Sequence, residues 1–153
     1  MIENFLENGE EAFGEKLEGI TYIHRIGVYG VIINHEGKVA VLKTTTGYFL
    51  LPGGGIENNE TQKQCLEREV MEEVGCRIHI GKYIGKASLY HLAKNNKYIL
   101  GIGYFYIVNL QCNTNYKIEK DKELIWMDPY ECINCLPLEH QSWAVSKSIK
   151  YIF

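Results

Sequence analysis

The chain has 153 residues, 46% of them hydrophobic and 23% charged, with a net charge of −3 and a sequence pI near 6.0. That is ordinary globular usage, enough to bury a core without staples, and it argues against a disordered or fibrous chain. There is no broad basic field to attract duplex nucleic acid or an anionic membrane, no run of membrane-spanning length, and the acidic start Met1-Ile2-Glu3 is unlike a secretion signal, so a cytoplasmic protein is expected.

One domain over residues 1–153 is expected, with residues 1–20 as a lead-in helix or strand. The β-branched, aromatic-rich stretch Tyr22 to Asn34 runs through His35-Glu36-Gly37-Lys38 into Val39-Ala40-Val41-Leu42, which reads as a hairpin closed around a glycine. After a turn at Thr44 to Gly47, Tyr48-Phe49-Leu50-Leu51 is a short strand that Pro52-Gly53-Gly54-Gly55 should stop, since proline and consecutive glycines fit a ladder poorly. A helix follows, opened by the Thr61-x-x-Gln64 capping box, closed by Gly75, with Leu66, Val70 and Val74 as its core stripe.

Residues 76–92 and 97–110 read as strands joined by a polar turn. Leu124-Ile125-Trp126-Met127 is a further strand, Asp128-Pro129 starts a helix, and a last helix spans Glu139 to about Tyr151. The succession points to a mixed sheet covered by helices. Cysteines 65, 76, 112, 132 and 135 are an odd set expected as reduced thiols rather than a disulfide framework, and Cys132-x-x-Cys135 lacks the partners a zinc site needs.

The chemistry concentrates in the central helix. Glu69, Glu72 and Glu73 stand at i, i+3 and i+4 and share one face, where like charges cost roughly 0.2–0.5 kcal/mol per pair and call for a cation. Hard oxygen ligands suit Mg²⁺ or Mn²⁺; alone, however, three glutamates are also what a solvated acidic face looks like. The wider spacing narrows the choice: Gly54, Glu60, Arg68-Glu69-Val70, Glu72-Glu73 and Gly75 form a pattern whose chance occurrence in a chain this long is on the order of 10⁻⁷.

Residues 54–76 resemble the Nudix box, Gly-x5-Glu-x7-Arg-Glu-U-x-Glu-Glu-x-Gly-U with U a bulky aliphatic, departing only at Cys76. The resemblance extends over about residues 20–130 and implies an α/β Nudix fold, a mixed β-sheet sandwiched between α-helices. It implies a metal-dependent hydrolase of the MutT-like kind, cleaving a pyrophosphate linkage in a nucleoside diphosphate joined to another moiety. Nucleoside triphosphates, nucleotide sugars and dinucleoside polyphosphates all satisfy that description.

By the same resemblance Glu69 and Glu73 would be the principal Mg²⁺ (or Mn²⁺) ligands, Glu72 a further one, the Gly54 carbonyl an added donor, and Arg68 the partner of Glu60. A general base outside the box is sought at Glu119 or Glu123, with Glu119 favoured, although both also fit a solvated charge run. Arg25, the run Gly53-Gly54-Gly55 and Tyr90 are the candidate substrate-binding residues; Arg25 also suits an edge-strand arginine, and Tyr90 with His91 suits ordinary sheet positions. Family members often pair, so a homodimer is admitted. The rival readings are a nucleotide-sensing module without catalysis, and an RNA-end decapping role, which would want a basic groove. No subclass signature fixes the substrate: Ser-Gln-Pro-Trp-Pro-Phe is missing and the only prolines are 52, 129 and 137.

Overall fold

The computed structural model describes residues 4–6, 10–111 and 121–152, the first three by their backbone alone. In chain order the elements are β1 (Asn4–Leu6), β2 (Glu10–Phe13), β3 (Ile23–Ile32), β4 (Val39–Thr44), β5 (Phe49–Leu50), β6 (Gly53–Gly55), α1 (Gln62–Val74), β7 (Arg77–Leu92), β8 (Tyr98–Gln111), β9 (Lys122–Met127), α2 (Pro129–Cys135) and α3 (Glu139–Ile152). A six-stranded sheet runs β1-β2-β7-β8-β3-β6, and a three-stranded sheet runs β5-β4-β9. The larger sheet is mixed: β3 lies parallel to β8 and antiparallel to β6, while β7 and β8 are antiparallel.

Two expectations are corrected. β3 and β4 share a tight turn at Gly37 (φ 76°) and the single bridge Ile33↔Val39, then diverge into different sheets instead of pairing as a hairpin. Residues 39–42 are buried on both faces, so each strand needs its own neighbours: β3 takes β6 and β8, and β4 takes β5 and β9. The glycine run, expected to end a strand, is itself β6 and pairs with β3 through Gly27↔Gly55, Val28↔Gly54 and Tyr29↔Gly53. Pro52, which cannot donate to a ladder, marks the step between the two sheets.

Helices cover both faces of the larger sheet. Leu66 and Val70 of α1 pack with Val28, Ile32 and Val108, whereas Ala144 and Val145 of α3 and Cys132 of α2 pack with Phe13, Val31 and Phe105. Strand alternation produces that split: Phe105 faces α3 while Tyr104, Tyr106 and Val108 face α1. Burying Leu66 completely stabilises the fold by roughly 1.5–3 kcal/mol, so Leu66→Ala breaks this layer most directly.

The helix signals hold. Thr61 accepts from the Gln64 amide while Gln64 returns a bond to the Thr61 amide, and Gly75 closes α1 in the left-handed conformation at φ 73°. Asp128 caps α2 with Pro129 in its first turn. Cys65, Cys132 and Cys135 are free thiols, and burial raises the Cys132 thiol to about 12. Cys76 departs from the reduced set in being disulfide-bonded. Among the described residues, no helix is long and apolar enough to cross a membrane.

Candidate metal and phosphate site

The glutamate face of α1 lies directly against β6. A Cβ on Gly54 would stand 2.6 Å from the Glu69 carboxyl carbon, so only glycine lets that carboxylate approach the backbone. Gly53 is equally constrained: at φ 139° a Cβ there would meet the Val28 carbonyl oxygen at 2.2 Å. The Gly53 amide donates to Glu73 Oε1 at 2.8 Å, and the Gly55 carbonyl accepts from Arg68 at 3.1 Å. Of the three expected substrate glycines, Gly53 thus holds a carboxylate of α1 directly and Gly55 holds Arg68, while the Gly54 carbonyl accepts from the Cys65 thiol.

Arg68 organises the rest. Its Nε and one terminal nitrogen grip Glu60 at 2.7 and 3.0 Å, a bidentate fork that holds the Glu60 carboxyl below its usual range. The other terminal nitrogen donates to Glu69 at 3.0 Å and, at longer range, to Glu72 at 3.3 Å. The expected Arg68–Glu60 contact is thus present, and Arg68 additionally neutralises the acidic face.

Glu73 is the most enclosed carboxylate, 4% exposed, and desolvation raises it to about 7 against the opposing pull of Lys122 and the Gly53 amide. Glu69 is also raised, chiefly by burial, with Arg68 pulling the other way. The cation on Glu73 is Lys122 of β9, whose Nζ lies 2.9 Å from Oε2. In the sequence Lys122 falls within the solvated charge run that ends at Glu123. The signal was the strand period: Lys122, Leu124 and Trp126 alternate onto one face, and the latter two pack against the α1 core. The same alternation turns Glu123 to the opposite face, opposite Lys43 in the ladder and away from Glu73. Glu119 lies outside the described residues.

As they stand, no three His, Cys, Asp or Glu side chains among the described residues converge on one point; Arg68 and Lys122 occupy the carboxylates instead. The donor chemistry still fits a hard divalent cation. Two desolvated carboxylates, Glu72 beside them and the Gly54 carbonyl are all oxygen donors, and removing Glu73 from water is favourable only with positive charge at hand.

A second concavity of about 310 Å³ lies on the other side of Tyr29, lined by Arg25, His91, Ile99, Gly101, Leu138 and His140. Arg25 belongs to the exposed first half of β3 and forms no ion pair among the described residues. The structure separates the two neighbours weighed in the sequence: His91 lines this pocket, while Tyr90 packs edge-on against Tyr22 with ring centroids 5.0 Å apart. Tyr29, unnoticed in the sequence, is the shared wall, pushed up to about 12 by burial and then by the charges of Glu69 and Glu73.

The model of the NUDIX domain matches residues 23–147. The chain belongs to the Nudix family. Similar proteins include an RNA pyrophosphohydrolase of Orientia tsutsugamushi, 28% identical over 84% of this chain and 78% of that protein. A CTP pyrophosphohydrolase of Escherichia coli is 24% identical over 71% and 79% respectively. A MutT-like protein of Streptomyces ambofaciens is 34% identical, but the match spans only 41% of this chain and 42% of that protein. Among solved structures, a NUDIX hydrolase from Nitrosomonas europaea superposes with a TM-score of 0.72 at 16% identity, covering 84% of this chain and 90% of that one, a likeness that shows the Nudix fold.

Proposed function

We propose that this Nudix hydrolase uses Mg²⁺ or Mn²⁺ to split the phosphoric anhydride of a small nucleotide, a nucleoside diphosphate linked to a further phosphate, sugar or nucleoside. The observation that supports it most is the desolvated pair Glu69 and Glu73, with the Glu69 carboxylate in the space a Cβ on Gly54 would need and Glu73 held by the Gly53 amide. Three crowded carboxylates have no use in a module that merely senses a nucleotide.

Glu69, Glu72, Glu73 and the Gly54 carbonyl would hold the ion, which supplies charge neutralisation on the phosphates and an acidified water. The residues of the chain do the positioning. Arg68 braces Glu69 and Glu72 against Glu60, and the Gly53 amide fixes Glu73. Lys122 keeps Glu73 compensated and, when an ion takes over that task, has an ammonium to offer to a phosphate oxygen. We assign removal of the water's proton to Glu119, on its place in the sequence ahead of β9.

The test is a panel of nucleoside triphosphates, nucleotide sugars and dinucleoside polyphosphates assayed with Mg²⁺, Mn²⁺ or EDTA for phosphate, pyrophosphate and nucleotide release. Metal-dependent turnover is expected on at least one member. Folded protein inert on all of them would leave the sensing module in its place, and undiminished turnover in Glu119→Gln would remove Glu119 as the base.

A further inference from the structure

The pocket beyond Tyr29 contains an unfinished piece of hydrogen bonding. His140, in the first turn of α3, is only 4% exposed, wedged edge-on against Phe105 at 5.6 Å and Tyr29 at 6.3 Å between ring centroids. Its Nδ1 is buried with no partner. Its Nε2 lies 3.8 Å from the point where a side chain on Gly101 would begin, and Nε2 of His91 lies 3.9 Å from that same point. Two imidazole nitrogens thus converge on a space that exists because residue 101 has no Cβ. Ile99, Ile102 and Leu138 supply apolar walls, and Arg25 stands at the rim.

Burial lowers both histidines, His140 to about 4, so each ring is neutral near pH 7 with one N–H and one lone pair. An orphaned buried N–H costs more than an orphaned acceptor, which assigns the His140 proton to Nε2 and leaves the unpartnered Nδ1 as the lone pair. The donor faces the void. A flat, neutral heterocycle with a keto oxygen or ring nitrogen on its edge satisfies such a site, whereas a phosphate or a polyhydroxylated ring leaves the apolar walls wet. The glutamates lie across Tyr29, so a base seated here has its phosphates on the α1 side of that wall.

We infer that the void over Gly101 is the base-reading pocket of this enzyme, in which Nε2–H of His140, with His91 beside it, accepts only heterocycles presenting a hydrogen-bond acceptor at that point. The inference rests on the hydrolase reading for its consequence in turnover, and its test keeps the two apart.

Gly101→Val is the decisive variant: a Cβ there meets only ordinary contacts, and a β-branched residue suits a strand, so the fold survives while the void fills. In steady-state kinetics with Mg²⁺, KM for the preferred nucleoside triphosphate should rise about tenfold or more with kcat changed less than about twofold. His140→Leu, which keeps the packing and removes the nitrogens, should level the differences in kcat/KM among the four bases, and His140→Gln, which restores a donor, should return part of them. In metal-free wild-type protein labelled with ¹⁵N-histidine, adding nucleoside 5′-monophosphates should move the His140 Nε2 resonance, whereas inorganic pyrophosphate should not. An unchanged KM in Gly101→Val together with base preferences untouched in His140→Leu overturns the pocket while leaving the hydrolase intact. If no nucleotide is turned over, the resonance decides alone: movement with a monophosphate upholds the pocket, and stillness with all four ends it.

Discussion

The two walls of Tyr29 are built on opposite principles. On the α1 side each glutamate of the site already has a partner: Arg68 spans Glu60, Glu69 and Glu72, while Lys122 and the Gly53 amide hold Glu73. On the α3 side Nε2 of each of two neutral imidazoles faces the space over an absent side chain. On the proposed reading, a site that takes a divalent ion and a polyphosphate has to survive without them, and surplus carboxylates do so by borrowing the chain's own cations. A site proposed to choose among neutral rings can stay empty, since an unpaired neutral polar group costs little beside an unpaired charge.

If the charged side is the reacting one, Glu73→Gln should lower kcat on the order of 10²-fold or more with Mg²⁺, in the range found when a single preorganised electrostatic group is lost. A variant of near wild-type turnover would break the contrast at its centre. The neutral side makes a claim about acid. Because the folded-state value of His140 is depressed to about 4, its stabilising contribution is present above about 6.5 and is lost as pH falls toward 4. Urea midpoints of the wild type should drop across that window by an amount worth roughly 3 kcal/mol more than in His140→Leu, which carries no such group. Parallel curves would show the ring to be solvated.

Lys122→Ala sharpens the borrowing argument. Stripping the ammonium from Glu73 should cost about 2 kcal/mol in metal-free protein at pH 8, and the rise in thermal midpoint on adding Mg²⁺ should be larger in the variant than in wild type. Equal rises would mean that Lys122 does not stand in for the ion. The smallest effect expected is that of Thr61→Ala, which removes the α1 cap and should cost about 1 kcal/mol by chemical denaturation while leaving KM and kcat unaltered, since the cap lies outside both walls.

The same division explains what was legible beforehand. Glu69, Glu72, Glu73, Arg68 and Glu60 interact within one helix and its lead-in loop, where spacing alone determines who meets whom, so the charged side could be read from the chain. The α1 boundaries were readable for the same reason, both caps being local. Lys122 and His140 reach their partners across 49 residues in one case and from the far helix layer in the other, contacts that depend on which sheet each strand joins. The β3–β4 hairpin that does not form and the separate strand that the glycine run does form have that same origin, because the Gly37 turn and the Pro52 break look alike whether the flanking strands stay together or part. Gly101 sits on β8, but the histidines that give the room above it its chemistry come from β7 and α3.

Next to His140 in the first turn of α3, Gln141 is 1% exposed, and its side-chain oxygen accepts the Leu51 amide at 2.9 Å, two residues before Gly53. That single strut ties the helix carrying the proposed base reader to the backbone from which Glu73 hangs. The strut keeps the two walls at one spacing whichever ring is seated, so base choice acts on how tightly the substrate is held while the carboxylates keep their places.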